Sequence, residues 1–389
     1  MARSKLSINA RTLTWARERS GYDIEKAADR LEIKPEQLRM LESGELKPTP
    51  AQPRKAGKLY RISPAVFFLS ETPTERFAPP ADLRTLPSGQ EGGSFSLELR
   101  RAIDSVRSQQ RILEEIDRFE GTDPLPVDLP SIAGLSTEQA GHTVRSWLEP
   151  ILPASIANEV ARPVALEDYI EAIERRGVFV TQVSGIPISE MRGFCLPHPY
   201  YPMIVLNGKD YPAPRAFTLF HELIHLLLGN ECICNDPFAS GGQEAYCNSI
   251  AAAALMPREK INSHPVVTAA VPGHVWSLAE LRLIAIDFAV SREAILRRLV
   301  TLNRATQAQY QHLRHEFQEE YAGYATGAAG GGPDHDAMIL RNLGGRYVAR
   351  VLRARNSGLI TDAEVGDYIF AKIRWAEGLA DRLGIPYDA

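Results

Sequence analysis

The sequence predicts an α+β fold that is mostly helical, with a small sheet near the middle of the chain. Its 389 residues exceed what one ordinary core holds, so two or three domains are expected. Apolar residues recur at helical spacing towards both ends of the chain. By contrast, Val178–Val183 and Met203–Asn207 are short runs rich in Val and Ile, which favour strands.

The composition indicates a soluble globular protein. Hydrophobic residues make up 44% and charged residues 24%, which is the usual balance for such proteins. No apolar run reaches the roughly 18 residues that a membrane-spanning helix needs. The polar start of the chain lacks the apolar core of a secretory signal, and four cysteines are too few for a disulfide framework. We therefore expect a cytoplasmic protein that does not contact membranes.

The charges are unevenly distributed. Residues 1–70 hold 14 Lys/Arg and 8 Asp/Glu, which leaves 30 basic and 40 acidic residues in the remainder. A basic first segment joined to an acidic body is expected when a nucleic-acid-binding module is linked to a second domain. A basic surface exposed to solvent, with no nucleic-acid partner, would give the same excess of Lys and Arg in residues 1–70.

The first segment is predicted to form short helices separated by tight turns, at Ile8–Arg19, Ile24–Leu31 and Gln37–Glu42. Two short helices around a tight turn predict a helix-turn-helix, whose second helix enters the major groove of DNA. On that second helix Gln37 and Arg39 are the candidates for base contacts, Gln with adenine and Arg with guanine or phosphate. A small helical module that binds protein is the alternative.

The next segments are predicted from composition and periodicity. Thr72–Gly93 is rich in Pro, Gly, Thr and Ser and predicts a linker. A packed helix is expected at Leu97–Phe119, followed by a loop over 122–135. Further helices are predicted at Gly141–Leu148, Leu166–Arg176, Arg215–Leu228 and Glu244–Met256, and the chain beyond residue 276 is helical around a Gly327–Pro333 loop.

A His-Glu-x-x-His motif, His221 to His225, lies inside one of these helices. Residues four apart share a helix face with side chains about 5–6 Å apart, so both imidazoles can bind one tetrahedral zinc. Glu222 then lies beside the metal and suits the general base that takes a proton from the attacking water.

The motif also occurs by chance on solvated surface helices. Here its neighbours are apolar nearly all round: Phe217, Leu219, Phe220, Leu223, Ile224, Leu226, Leu227 and Leu228. Polar groups on a buried helix need compensation, and metal coordination supplies it. The sequence therefore predicts a zinc-dependent peptidase site.

Such a site needs a third protein ligand, with water in the fourth position. The candidates downstream are Glu231, Cys232, Cys234, Asp236 and Glu244. Glu244 opens a helix whose remainder, Ile250–Leu255, is small and apolar and suits close packing. The two cysteines would instead give a closed, structural zinc site, in which case their substitution rather than that of Glu244 would abolish metal binding.

Two stretches, Arg215–His225 and Glu244–Pro257, resemble the ImmA/IrrE family of metallopeptidases in order and spacing. The resemblance implies a zincin-like fold, Glu222 as the base, and a supporting role for Asn248 behind the ligands or in the fold. The metal ligands that it implies are His221, His225 and Glu244.

This chain also departs from the family pattern. Ile224 replaces a usually small residue, and Tyr246-Cys247 stand where Glu-Ala is common, but neither change removes a ligand. The first segment resembles the phage-repressor-type (XRE) helix-turn-helix family, although Leu41 stands where an aromatic residue is frequent. Together the resemblances imply an XRE-like domain at 1–70, a linker and connector helix at 71–135, a metallopeptidase domain at 136–265 and a helical region at 266–389.

Several assignments have alternatives. Tyr200 or Tyr201 could stabilise the oxyanion of the transition state. Met203–Asn207 could be an edge strand that accepts an extended peptide, or a strand buried in the sheet. Leu278–Leu302 and Ile360–Leu383 could each form a further helix-turn-helix, although plain helical packing is favoured for both.

Two functions are consistent with these features. The first is an intracellular endopeptidase and transcriptional regulator that holds one Zn²⁺ per chain, or Mn²⁺, and stays latent until triggered. It would cleave a specific protein, a DNA-binding repressor. It would also bind double-stranded DNA, with a homodimer as one arrangement. The family resemblance links such an enzyme to stress, mobile-element or phage-related control. The second is a DNA-binding regulator or antitoxin-like repressor whose peptidase domain serves recognition. The presence of Glu222 favours the enzyme, because a scaffold needs no base.

Overall fold

The computed structural model describes residues 8–60, 62–74, 95–152, 166–229, 232–234, 242–324 and 334–387. It divides into two compact units, Met1–Pro79 with Ser88–Ser105, and Pro80–Pro87 with Val106–Ala389. The predicted Gly327–Pro333 loop lies outside the described residues, as does the predicted linker from residue 75 onward. The described part confirms a mostly helical α+β fold.

Among its described residues, the first unit holds four complete helices and a 3-10 turn at Pro64–Phe68. They are α1 (Ala10–Arg19), α2 (Ile24–Leu31), α3 (Pro35–Ser43) and α4 (Ala51–Tyr60). Helices α1 and α2 each begin at a side-chain cap. The side chain of Asn9 accepts a hydrogen bond from the Arg11 N–H, and that of Asp23 accepts one from the Lys26 N–H. Apolar residues at helical spacing form one core, with members such as Leu13, Ala28, Leu38 and Phe67.

Helix α5 (Leu97–Glu120) begins in the first unit and ends in the second. Residues 122–135 form neither helix nor strand, as the composition predicts. The chain continues through α6 (Thr137–Leu148) and α7 (Leu166–Arg175). Ser136 and Gln139 form a reciprocal capping box that begins α6.

A four-stranded sheet of order β1-β3-β2-β4 follows, formed by β1 (Phe179–Val183), β2 (Gly193–Leu196), β3 (Met203–Asn207) and β4 (Cys232–Cys234). Strand β3 pairs in parallel with β1 and antiparallel with β2, and β2 pairs antiparallel with β4. Every residue of β3 is buried. The edge-strand alternative for Met203–Asn207 is therefore wrong, because strands cover both of its sides.

Helix α8 (Pro212–Leu227) packs against this sheet, and α9 (Gly242–Leu255) packs on α8. Helix α9 packs tightly on α6, since a methyl group added at Gly141 would overlap Ala253. The buried guanidinium of Arg298 fixes the end of α9. It donates to Met256 O at 2.9 Å and forms a bidentate pair with Glu138 of α6 at 2.8 and 2.9 Å.

Beyond α9, the described residues of the second unit form helices and the connections between them. Its elements are α10 (Arg258–Ser263), α11 (Pro265–Ala269), α12 (Leu278–Phe288), α13 (Arg292–Thr301), α14 (Gln307–Tyr324), α15 (His335–Leu343), α16 (Gly345–Asn356), α17 (Asp362–Tyr368), a 3-10 turn at Ile373–Trp375, and α18 (Ala376–Leu383). Within the described ranges, no helix is long and apolar enough to cross a membrane.

The segment Leu278–Leu302 forms two helices around a short turn. Helix α13 is buried along most of its length, including Glu293, Ile295, Arg298 and Leu299. A recognition helix needs a face free to enter a DNA groove. The burial of α13 therefore supports plain helical packing, the favoured alternative for this segment.

Candidate metal centre

Helix α8 carries the His-Glu-x-x-His motif in the interior of the protein. Pro212 occupies its first turn, where the missing N–H costs nothing. Every residue from Ala216 to Leu226 is buried, and the exposed fraction is 1% for His221 and 0% for both Glu222 and His225. The apolar residues around the motif therefore bury this helix, as the sequence predicts.

Helix α9 brings a carboxylate to the two histidines. Glu244 lies in its first turn, and its Oε2 is 3.2 Å from His221 Nε2 while its Oε1 is 3.3 Å from His225 Nε2. The two Nε2 atoms are 3.1 Å apart. Two imidazole nitrogens and the two oxygens of one carboxylate, from two helices, thus converge on one point. Their residues form the metal-ligand cluster (His221, His225, Glu244).

The spacing of these atoms suits a tetrahedral metal. Ligand atoms bound to zinc at about 2.0–2.1 Å in tetrahedral geometry lie about 3.3–3.4 Å apart. The three observed separations, from 3.1 to 3.3 Å, are close to that value. Two imidazole nitrogens and one carboxylate are also donors that zinc accepts. The residues present therefore fit a divalent metal.

The electrostatics of the cluster keep its carboxylate ionised. Burial by itself would raise the pKa of Glu244, but the hydrogen bonds and charge interactions with His221 and His225 outweigh it and hold that pKa well below its usual range. A metal ligand must be deprotonated. The low pKa of Glu244 agrees with that requirement.

The family comparison agrees with this geometry. Residues 174–300 match the Peptidase_M78 family model, the IrrE N-terminal-like domain. The matched segment contains all three members of the metal-ligand cluster and Glu222. The match supports the ImmA/IrrE resemblance, and with it a metallopeptidase-type domain that takes a divalent metal, typically zinc. No curated protein matches this sequence.

Within the matched segment, Glu222 lies against strand β2. A methyl group added at Gly193 would be 3.0 Å from Glu222 Oε1, 3.1 Å from its Cγ and 2.5 Å from Thr218 Cγ2. Such distances leave no room for a side chain at that position. The glycine therefore lets the strand backbone approach the helix at the residue proposed as the base.

We expect Gly193→Ala to impair the site without removing the metal. The added methyl group must displace Thr218, Glu222 or strand β2, all of which adjoin the base, and a misplacement of about 1 Å can lower a rate by about 100-fold. We predict a 10- to 100-fold loss of peptidase rate with unchanged zinc content, measured by elemental analysis beside the cleavage assay. Gly345→Ala is the matched control, because its nearest atom would be 3.6 Å away, an ordinary contact. Full activity in Gly193→Ala would contradict the prediction.

Helix α9 places two further residues near the cluster. Asn248, one turn after Glu244, is buried with 9% exposure, and its supporting role remains a prediction. Cys247 was not selected as a site residue from the sequence, yet its Sγ lies 3.8 Å from His225 Nδ1. Its position three residues after Glu244, on the same helix face, is the signal that could have selected it.

The two candidate oxyanion residues lie in the hairpin between β2 and β3. The ring of Tyr201 stacks on His198 and meets the edge of Phe179, and the ring of Tyr200 packs on the same histidine. The hairpin is tied to α5, since Gln110 donates to Tyr201 O at 2.9 Å. The described contacts of these tyrosines do not include the metal-ligand cluster, so their catalytic role lacks support from the geometry.

Cys232 and Cys234, the residues of the alternative zinc site, lie in the sheet. Both residues belong to β4, where they pair with Cys195 and Gly193 of β2. Their side chains, and all of Glu231 and Asp236, lie outside the described part of the chain.

In the first unit, Gln37 and Arg39 both lie on α3, the helix after the turn Glu32–Lys34. Gln37 is half-buried, whereas Arg39 is exposed. Arg39 Nη2 donates to Glu25 Oε1 at 2.7 Å, and its Nη1 is 3.8 Å from Glu36 Oε1. Any contact of Arg39 with DNA must compete with these exposed ion pairs, which are weak.

Proposed function

We propose that this protein is a metal-dependent endopeptidase that cleaves one specific protein. The observation that carries the proposal is the convergence of His221, His225 and Glu244 to 3.1–3.3 Å beside the buried carboxylate of Glu222. The match of residues 174–300 to a peptidase family supports it. Two imidazoles and one carboxylate suit zinc, and they also accept manganese.

In this proposal, three side chains bind the metal and a fourth transfers protons. His221, His225 and Glu244 would hold the ion. When bound, the metal polarises the scissile carbonyl and makes water a better nucleophile. Glu222 then accepts the proton of the attacking water and delivers it to the leaving amine, which needs a carboxylate within hydrogen-bond reach of both atoms. Apolar residues around α8 exclude other water from these transfers.

The burial of the cluster supports a selective enzyme rather than a general one. The exposed fraction of the side chain is 1% for His221, 0% for His225 and 17% for Glu244. Solvent thus reaches the ligands mainly beside Glu244. A polypeptide must fit this restricted approach, which favours cleavage of one partner at an extended segment. A DNA-binding repressor is the substrate that the family resemblance suggests.

The test is to identify new protein N-termini in a cell lysate. Purified protein, supplied with zinc, is incubated with lysate of its source cells, and the N-termini are labelled and sequenced by mass spectrometry. We expect a small set of new N-termini, absent with Glu222→Gln, absent with Glu244→Ala and absent when a chelator is added. Identical N-termini with wild type and Glu222→Gln would contradict the peptidase function.

A second candidate function is DNA binding by the first unit, with peptidase and DNA-binding activities combined in one regulator. It is favoured by α2 and α3, two short helices joined by a three-residue turn in a segment with excess positive charge. The alternative is a DNA-binding regulator whose peptidase domain serves recognition alone. Such a protein would still bind DNA, but the lysate experiment would yield no new N-termini.

We expect Arg39→Ala to weaken binding to duplex DNA if α3 is the contact helix. Lost phosphate contact should reduce the slope of log affinity against log salt by about 1. Fluorescence anisotropy with a labelled duplex at several salt concentrations measures this slope. Arg54→Ala on α4 is a control for a general loss of positive charge. Equal effects of the two substitutions would argue against α3 as the contact helix.

A further inference from the structure

The two ring nitrogens of His225 have different neighbours. Its Nε2 faces the metal-ligand cluster, 3.1 Å from His221 Nε2 and 3.3 Å from Glu244 Oε1. Its Nδ1 faces Cys247, whose sulfur is 3.8 Å away. Both side chains are completely buried, and Cys247 comes from the same helix as Glu244.

The chemistry of imidazole assigns roles to these two nitrogens. A neutral ring that offers a lone pair to a metal through Nε2 carries its proton on Nδ1. That N–H needs an acceptor, because an unpaired buried donor is costly. A thiol sulfur is a weak acceptor, and a separation of 3.8 Å is within the range of hydrogen bonds to sulfur.

We propose that Cys247 is a positioning residue for metal binding: its sulfur accepts a hydrogen bond from the Nδ1–H of His225 and thereby fixes the tautomer and the orientation of that ring. The inference rests on the proposed metal site. Helix α9 then contributes to the site twice, once with the carboxylate of Glu244 and once with the group that orients His225.

The expected loss of metal affinity follows from groups that orient metal-binding histidines in other proteins. Groups that orient a metal-binding histidine typically contribute about 10- to 100-fold in metal affinity. Because sulfur accepts weakly, we expect the lower end, about 10-fold. A packing role for Cys247 is the competing explanation, since its side chain belongs to the core of the second unit.

Three substitutions separate the two explanations. Cys247→Val fills the space with apolar atoms but removes the acceptor, whereas Cys247→Ser keeps an acceptor and loses volume. Orientation of His225 predicts that valine weakens zinc binding about 10-fold and that serine restores most of it. Packing predicts the reverse order, because a buried hydroxyl is less favourable than a methyl group in an apolar core. Cys195→Val, at the other buried cysteine in the described ranges, controls for loss of a core thiol.

The measurements are made on the full chain with Zn²⁺ alone. Zinc affinity is obtained by competition with a chelating dye, and thermal unfolding of the metal-free proteins checks that each variant folds. ¹⁵N spectra of the histidine rings provide a second readout. In the wild type, His225 should show a proton on Nδ1. In Cys247→Val, that proton should exchange with water faster than in the wild type.

The outcomes distinguish this inference from the metal site itself. Wild-type zinc affinity in Cys247→Val, a weaker affinity in Cys247→Ser than in Cys247→Val, or an equal loss in Cys195→Val would overturn the role of Cys247 while leaving the site intact. Absence of zinc binding by the wild-type protein would instead overturn the proposed function.

Discussion

Replacing Glu222 with glutamine is expected to lower the rate of peptide-bond hydrolysis by about 100- to 10,000-fold, the usual contribution of a general base. The amide has nearly the same shape as the carboxylate and fits the space beside Gly193, but it cannot accept a proton from water. The rate should be measured on a peptide that spans a cleavage site identified in lysate. The metal content should stay at about one ion per chain, since Glu222 is not in the metal-ligand cluster.

The control for this prediction is the integrity of the variant. Zinc content by elemental analysis and the midpoint of thermal unfolding should match those of the wild type. A rate within a few-fold of the wild-type rate, with the metal present, would show that another group accepts the proton. Loss of metal from Glu222→Gln would show that this carboxylate binds the ion, and the assignment of Glu244 would then need revision.

Replacing Glu244 with alanine should abolish metal binding. The substitution removes the only carboxylate among the three converging side chains and leaves two imidazoles, which share one helix and hold a metal weakly by themselves. We expect the zinc content to fall from about one ion per chain to near zero, measured by elemental analysis on freshly purified protein. Hydrolysis should be lost together with the metal.

A stability measurement provides a second readout of the same variant. A ligand at 100 times its Kd stabilises the folded state by about 2.7 kcal/mol, so zinc should raise the thermal midpoint of the wild type and leave that of Glu244→Ala unchanged. Glu259→Ala, which removes an exposed carboxylate from α10, is the matched control and should bind zinc normally. Full zinc content in Glu244→Ala would favour the alternative site at Cys232 and Cys234.

The parts of the site that lie on one helix could be predicted from the sequence. The spacing of His221, Glu222 and His225 fixes their relative directions, because an α-helix turns about 100° per residue. Their apolar neighbours also predict that this helix is buried. Glu244 is one of five downstream candidates in the sequence, and only the family resemblance distinguishes it as the third ligand. Its place 3.2 and 3.3 Å from the two histidines follows from the packing of α9 on α8.

Other features were not predicted because they depend on contacts between distant segments. Strands β2 and β4 have four and three residues, which is too short for alternation to be recognised against background. Strand β3 has a composition that suits either an edge or a central strand, and only its pairing with β1 and β2 decides between them. The contact of Gly193 with Glu222 depends on that same pairing.

The sequence by itself therefore determined the mostly helical α+β class, the buried motif helix and the two motifs that resemble a peptidase family, since local periodicity and spacing carry this information. The tertiary structure alone decided which atoms of different segments meet: the 3.2 and 3.3 Å from the Glu244 carboxylate to the two histidines, the 3.8 Å between Cys247 and His225, and the glycine beside Glu222. These distances arise from the close packing of α8, α9 and β2, which no single segment encodes.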